Sequence, residues 1–388
     1  MDFSLTSDQI LIRDTVRQFM EAEMRPILRQ YEREEKFPDA QIRGLGELGC
    51  CGMLIPEEWG GAGTDTVSYA IMLEEVARVC ASTAVALSVT NSVAGMPVFK
   101  HGTEAQKKKY LSRLARGEIL GAFCLTEPQA GSDAAAIQTR AVRRGDEYFV
   151  SGTKSWVTNG GVAGVYVLFA KTDPAAGARG VTAFLVEGDF PGFRVSRYED
   201  KMGLHLSRTA EIVLEDCRVP ADNRLGEEGQ GLKIALEALD GGRVGIAAQA
   251  VGIAQGAFEA AVRYAKQRGA FGKKISEFEA IQWMLADMQT EIEAARALTT
   301  QAAWMRDAGK SKPGPAASRA KLYASEMVNR VAYKAVQVHG SVGYSRETDV
   351  ERYYRDARVL TIYEGTSEIQ RTVIARDLLQ SGNRAGVQ

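Results

Sequence analysis

The 388 residues predict an α+β chain: an N-terminal all-α domain over 1–120, a middle β-domain over 121–229 and a C-terminal helical bundle over 230–388. Three observations predict it. Apolar residues recur three and four apart up to about residue 120. They alternate at strand spacing from Gly121 to about Gly229, then return to helical spacing in longer runs. A chain of this length also exceeds what one simple core organises, which points to two or three domains.

In the first segment, Asp8 to Met20 carries the helical repeat. Pro38 and Asp39 precede Ile42, Leu45 and Leu48, a helical face that stops at Gly49. Tyr69 to Val79 and Ala105 to Leu114 repeat the pattern, while Pro56 and the Gly60-Gly61-Ala62-Gly63 cluster interrupt it. Gly44-Leu-Gly-Glu-Leu-Gly49 matches GxGxxG literally. It carries a helical pattern and lacks a preceding strand, so no Rossmann NAD site is expected.

In the middle segment, Gly121 to Leu125 and Ile137 to Arg143 are strand-like, and Arg144-Gly145-Asp146 turns into Glu147 to Val150 as a hairpin. Val165 to Ala170, Val181 to Val186 and Ala210 to Glu215 continue at strand spacing. In the last segment, Leu232 to Arg268 is apolar on much of its surface and rich in Gly and Ala. A second helix runs through Ile281 and Ile292 to near Gly309, and a third spans Ala316 to Val338. Helices so apolar must be buried on several sides, which implies a bundle that also makes subunit contacts.

Composition is that of an ordinary globular protein, 45% hydrophobic and 25% charged. Lys+Arg 48 against Asp+Glu 49 gives a net charge of -1, so no nucleic-acid surface is expected. No apolar run reaches membrane-spanning length, the start lacks signal-peptide regions, and five cysteines form neither a disulfide framework nor a CxxC pair. A cytoplasmic protein is expected. His101, His205 and His339 are too scattered for a metal site or a Ser/His triad, so no metal is expected.

Five motifs carry chemistry. Ile362 to Arg371 (IYEGTSEIQR) places Glu364 in what is predicted to be a short extended stretch. Ser367 and Gln370 have capping-box spacing, so a helix is expected to start there. Its first turn attracts anions and polar ligand atoms, and a lone acid followed by Gly is one way to mount a general base. Taken alone, these residues are also an ordinary loop and a capped helix. Leu125-Thr-Glu-Pro-Gln-Ala-Gly-Ser-Asp133 offers hydroxyls and free N–H groups to a phosphate-bearing ligand, or is a plain polar connection. In Lys154-Ser-Trp-Val-Thr-Asn-Gly-Gly161, Trp156 and Thr158 share one strand face and could meet a flat ligand, though a strand Trp is more often core. Arg268-Gly-Ala-Phe-Gly could clamp a pyrophosphate or be a solvated helix end. Gln337-Val-His-Gly-Ser-Val-Gly-Tyr344 is a glycine-rich turn open to a ligand, or a simple C-cap.

Together, in this order and at these separations, the motifs resemble the acyl-CoA dehydrogenase family from about residue 3 to 380. Leu239 to Gln249 (LDGGRVGIAAQ) looks like the short-chain, butyryl-type members. The resemblance implies a helical domain, a β-domain and a four-helix bundle enclosing FAD, in a homotetramer built as a dimer of dimers. It implies that Phe123, Leu125, Thr126, Ser132, Trp156, Val157 and Thr158 contact the flavin half of FAD. Arg268, Phe271, Gln337, Gly340 and Ser341 would hold the adenine-diphosphate half bound in the neighbouring subunit, with Thr366 and Glu368 in the near-subunit set. Ser132, Asp240, Arg243 and Gly365 would line the acyl-CoA channel.

The implied activity is an oxidoreductase of fatty acid β-oxidation that turns a short- or medium-chain acyl-CoA into a trans-2-enoyl-CoA. Glu364 would take the α-proton, the β-hydrogen would go to flavin N5, and electrons would pass to electron-transferring flavoprotein. Isovaleryl- and long-chain-type members carry their base where this chain has Gly242, which leaves Glu364 as the base and argues for straight chains. Glu279, Leu206 and Arg208 depart from residues common in the family. The alternatives are an acyl-CoA oxidase using oxygen and a non-catalytic CoA-binding helical scaffold.

Overall fold

The computed structural model describes residues 4–309 and 313–380; the outer limits expected for the first and third domains, 1 and 388, lie outside the described residues. Helices α1 (Ser7–Phe19), α2 (Leu28–Glu34), α3 (Asp39–Glu47), α4 (Thr66–Val79), α5 (Ala81–Ser88), α6 (Met96–His101) and α7 (Glu104–Ala115) come first. Strands β1 (Leu120–Cys124), β2 (Arg140–Arg144), β3 (Glu147–Thr158), β4 (Ala163–Lys171), β5 (Val181–Val186), β6 (Phe193–Tyr198), β7 (Thr209–Pro220) and β8 (Arg224–Leu225) follow. The chain continues with α8 (Gly231–Gln267), a small hairpin of β9 (Gly269–Ala270) and β10 (Lys273–Lys274), α9 (Glu279–Asp307), α10 (Pro313–His339), α11 (Val350–Arg358) and α12 (Ser367–Gln380). The predicted helix–sheet–helix order is present, and the GxGxxG match begins inside α3 with no strand before it.

Helix starts follow local chemistry. The Thr6 hydroxyl accepts from Gln9 N at 3.2 Å while Gln9 Oε1 accepts from Thr6 N at 3.1 Å, a capping box that opens α1. Thr103 and Gln106 do the same for α7. The sheet runs β6-β7-β3-β2-β4-β5-β8, with β1 parallel to β4. Alternation on β4 feeds two cores. Val165, Val167 and Phe169 pack with Leu111, Leu114 and Ile234, whereas Tyr166, Leu168 and Ala170 pack with Phe184, Ile212 and Leu214. Buried on both faces, β4 shows a continuous apolar run in place of a polar/apolar alternation.

In the bundle, α8 lies between α4 and α10 and is buried for most of its length. A Cβ at Gly252 would stand 2.2 Å from the Glu74 carbonyl oxygen, so α8 and α4 are in backbone contact there. Asn159, fully buried with φ +63°, joins sheet to helices: its amide donates to the Ala86 carbonyl at 3.1 Å and the Gly121 carbonyl at 2.9 Å. No described helix is long and apolar enough to cross a membrane.

Candidate active site

The stretch holding Glu364 is a bend, not the extended segment that was expected. Glu364 has φ +51° and Gly365 φ +92°, both left-handed. For a non-glycine residue this conformation costs about 1–2 kcal/mol, so the surroundings must enforce it. Two donors do. Gln370 Nε2 donates to the carbonyls of Glu364 at 3.2 Å and Gly365 at 2.9 Å, and Lys321 Nζ donates to Gly365 O at 2.7 Å. The cap also differs from expectation. Thr366 Oγ1 accepts from Ile369 N at 3.3 Å, so the cap lies one residue before Ser367, and the Gln370 side chain is committed to the bend.

The Glu364 carboxylate faces α8. Its Oε2 is buried without a hydrogen-bond partner among the described residues, and a Cβ at Gly242 would stand 2.1 Å from it. Burial pushes the Glu364 carboxyl up to about 7, with Lys321 and then Arg243 pulling the other way. Arg243 is only 6% exposed; it donates to Asp240 Oδ1 at 2.5 Å and Ser318 Oγ at 3.4 Å, leaving Nε unpartnered. Tyr69 on α4, hydrogen-bonded to Ser88 at 3.1 Å, and Tyr363, bonded to Gln249 Oε1 at 2.5 Å, complete the surroundings. Asp240, Arg243 and Gly365 therefore gather around Glu364 and Lys321, while Ser132 sits on an exposed loop of the sheet domain.

That loop is anchored by a pair the sequence reading did not single out. Lys154 Nζ lies 2.7 Å from Glu127 Oε1 and 3.2 Å from the Leu125 carbonyl, and both side chains are almost wholly buried. Glu127 also accepts from the backbone N–H of Gln138 at 2.6 Å and Thr139 at 3.0 Å. The pair locks Leu125 and Thr126 against β3. Just beyond it, the register with β7 slips between Lys154 and Val157, and Trp156 takes φ +58°. Trp156 is thereby 60% exposed and Thr158 half-buried, while Val157 enters the core. Phe123 is half-buried against Phe169, with ring centroids 4.9 Å apart. We expect Lys154→Met to destabilise the chain by about 3–5 kcal/mol, since it strands a buried carboxylate. An unchanged denaturant midpoint would show that the pair does not hold this loop.

The remaining predicted residues lie elsewhere. Phe271 and Gly272, at φ +52° and +79°, form the two-residue turn between β9 and β10, and Phe271 is 96% exposed beside exposed Arg268. Gln337, Gly340 and Ser341 are exposed at the end of α10. His339 stacks on Tyr264 of α8 at 4.3 Å, which brings the two groups to one end of the bundle. The 26 residues from Gly242 to Arg268 follow α8 at about 1.5 Å each, so this end is about 39 Å from the carboxylate. Glu279 is exposed in the first turn of α9, Leu206 is buried, and Arg208 stacks on Tyr198 at 5.0 Å, with no ion pair among the described residues. Glu368 is exposed in the first turn of α12.

Comparison with known proteins identifies the family. Family models for the acyl-CoA dehydrogenase N-terminal, middle and C-terminal domains match residues 6–118, 122–217 and 229–379. A short-chain specific acyl-CoA dehydrogenase of Clostridium acetobutylicum is 47% identical over 97% of this chain and 99% of its own. Butyryl-CoA dehydrogenase from Megasphaera elsdenii superposes with a TM-score of 0.96 at 45% identity, covering 98% of this chain and 100% of that one. A chain solved in work on the electron transferring flavoprotein of Acidaminococcus fermentans and flavin-based electron bifurcation gives a TM-score of 0.97 at 48% identity, covering 98% and 100%. On matched models across all three segments and a relative aligned almost end to end, this chain belongs to the acyl-CoA dehydrogenase family.

Proposed function

We propose that this protein oxidises a short, straight acyl-CoA thioester to its trans-2-enoyl-CoA, with Glu364 as the base. The observation that carries this reading is Glu364 Oε2: buried, unpaired among the described residues and held by a left-handed turn against a helix that has no side chain at Gly242. The short-chain assignment rests on similarity to the short-chain specific and butyryl-CoA enzymes. Packing of the residues near Val89 to Val98, which begin with a buried π-helical segment over Val89–Gly95, is expected to set pocket depth.

Family members use FAD, and the residues present fit it. An outward Trp156 offers a flat apolar face, and the Thr126 and Ser132 side chains make no hydrogen bond among the described residues. At the far end, exposed Arg268 and Phe271 and the open turn at Gly340 suit the adenine-diphosphate half. That end lies about 39 Å of helix away from Gly242, and likeness to the family assigns it to the cofactor of a neighbouring copy in a homotetramer built from dimers. When bound, FAD supplies the two-electron acceptor for the hydrogen leaving the β-carbon.

The chain's own groups do the rest. Glu364 Oε2 takes the α-proton, and a carboxyl poised near pH 7 suits proton transfer from a weak carbon acid. The Glu364 N–H donates to no described residue and is available to the thioester oxygen as negative charge develops there. Arg243 and Asp240 line the approach. Electrons then leave to electron-transferring flavoprotein, a reading supported by the likeness to the Acidaminococcus chain.

The test is anaerobic mixing of the yellow holoenzyme with acyl-CoA thioesters of increasing length. Butyryl- or hexanoyl-CoA should bleach the flavin and release the enoyl product. Peroxide formed in step with turnover in air would replace this reading with an oxidase. Protein that cannot take up FAD would leave only a CoA-binding scaffold.

A further inference from the structure

Lys321 takes no part in the proton transfer proposed above, yet it is fully buried in the first half of α10. Ala317, Ala324 and Val328 flank it on the same helix face, all buried, so a lysine interrupts an apolar stripe. A buried ammonium brings three donors and a charge that needs compensation. One donor reaches the Gly365 carbonyl at 2.7 Å, and no carboxylate among the described residues lies within ion-pair distance. The acidic group that acts on it most strongly is Glu364, ahead of Glu326 and Glu368, while Arg243 opposes it.

We propose that Lys321 is the positioning residue of this site: its ammonium clamps the Gly365 carbonyl, holds the Glu364 turn left-handed, and offers the Glu364 carboxylate a compensating charge. The inference rests on Glu364 being the base. Two duties meet in one amine. As a donor, Lys321 shares the Gly365 carbonyl with Gln370 Nε2, so the bend cannot relax to an extended segment without stranding a buried cation. As a charge, it opposes the burial that favours the protonated acid. The groups facing Glu364 are Lys321 on α10, Arg243 on α8, and the hydroxyls of Tyr69 on α4 and Tyr363 beside it. Only the first two are cations, and Arg243 is already paired with Asp240. Burial lowers the Lys321 ammonium to about 8, so it still carries its proton where Glu364 titrates.

The test uses holoenzyme of wild type, Lys321→Met, Lys321→Arg and Glu364→Gln. The Glu364 carboxyl is titrated by difference infrared spectroscopy, its band assigned by loss in Glu364→Gln, and anaerobic flavin reduction is followed against pH. In Lys321→Met both midpoints should move up by about 1–2 pH units, with reduction recovering towards the wild-type rate as pH rises. Lys321→Arg should restore the carboxyl midpoint. A Lys321→Met titration that overlays wild type would overturn the proposal, as would a rate loss equal at every pH. Failure of the base assignment is read separately: Glu364→Gln would then reduce flavin normally, while the carboxyl titration still reports the effect of Lys321.

Discussion

Glu364→Gln should retain FAD and bind acyl-CoA while losing about 10²–10⁴-fold in the rate of flavin reduction, the span that a positioned general base contributes. The amide keeps the shape of the side chain and removes only its capacity to take a proton. No neighbour can substitute. Asp240 is held by Arg243 at 2.5 Å, and the hydroxyls of buried Tyr69 and half-buried Tyr363 are both pushed well above the working range by desolvation. The wild-type profile has a defined sign. As pH rises through about 7, Glu364 gives up its proton and becomes competent, so reduction should climb through that midpoint and fall about tenfold per unit below it. Stopped-flow reduction by butyryl-CoA across pH 5.5–9 measures both (a range set by the about 7 midpoint). Normal reduction by the Gln variant would remove Glu364 from its role.

Gly242→Ala should leave the chain folded and nearly disable it. Alanine suits a helix interior better than glycine by about 1 kcal/mol, so α8 itself gains. The new Cβ would stand 2.1 Å from Glu364 Oε2 and 2.8 Å from its carboxyl carbon, closer than any contact tolerates. The carboxylate must swing away, and a misplacement of about 1 Å is enough to lose on the order of 10²-fold in rate. The flavin content and unfolding midpoint should stay near wild type while reduction collapses. A Gly242→Ala enzyme with wild-type reduction would mean that the carboxylate has room the structure does not give it.

The order of helices and strands was legible because burial is periodic. Val181 to Val186 is a strand to the residue, and the Gly145-Asp146 turn joins β2 to β3 as the spacing implies. Less was legible wherever a side chain answers to a partner far along the chain. Lys154 finds Glu127 across 27 residues and Lys321 finds Gly365 across 44, so nothing local announces either, apart from a lysine set among alanines. Glu364 could be singled out as a residue but not its left-handed turn, since that conformation is imposed by Gln370 and Lys321 against local preference. The capping pattern misled for the same reason. Gln370 has the right spacing for a box, but the carbonyls of the bend compete for its amide and win.

The length of α8 has a thermodynamic consequence. Arg268 stands about 39 Å of helix from Gly242 on a single copy, and on the function proposed above each copy would offer half of two different sites. Cofactor binding and subunit association would then be linked equilibria. Ligand present in excess adds RT ln(1 + [L]/Kd) to the assembled form and nothing to the separated one. Dilution should therefore shed flavin and subunits together, and free FAD should oppose both.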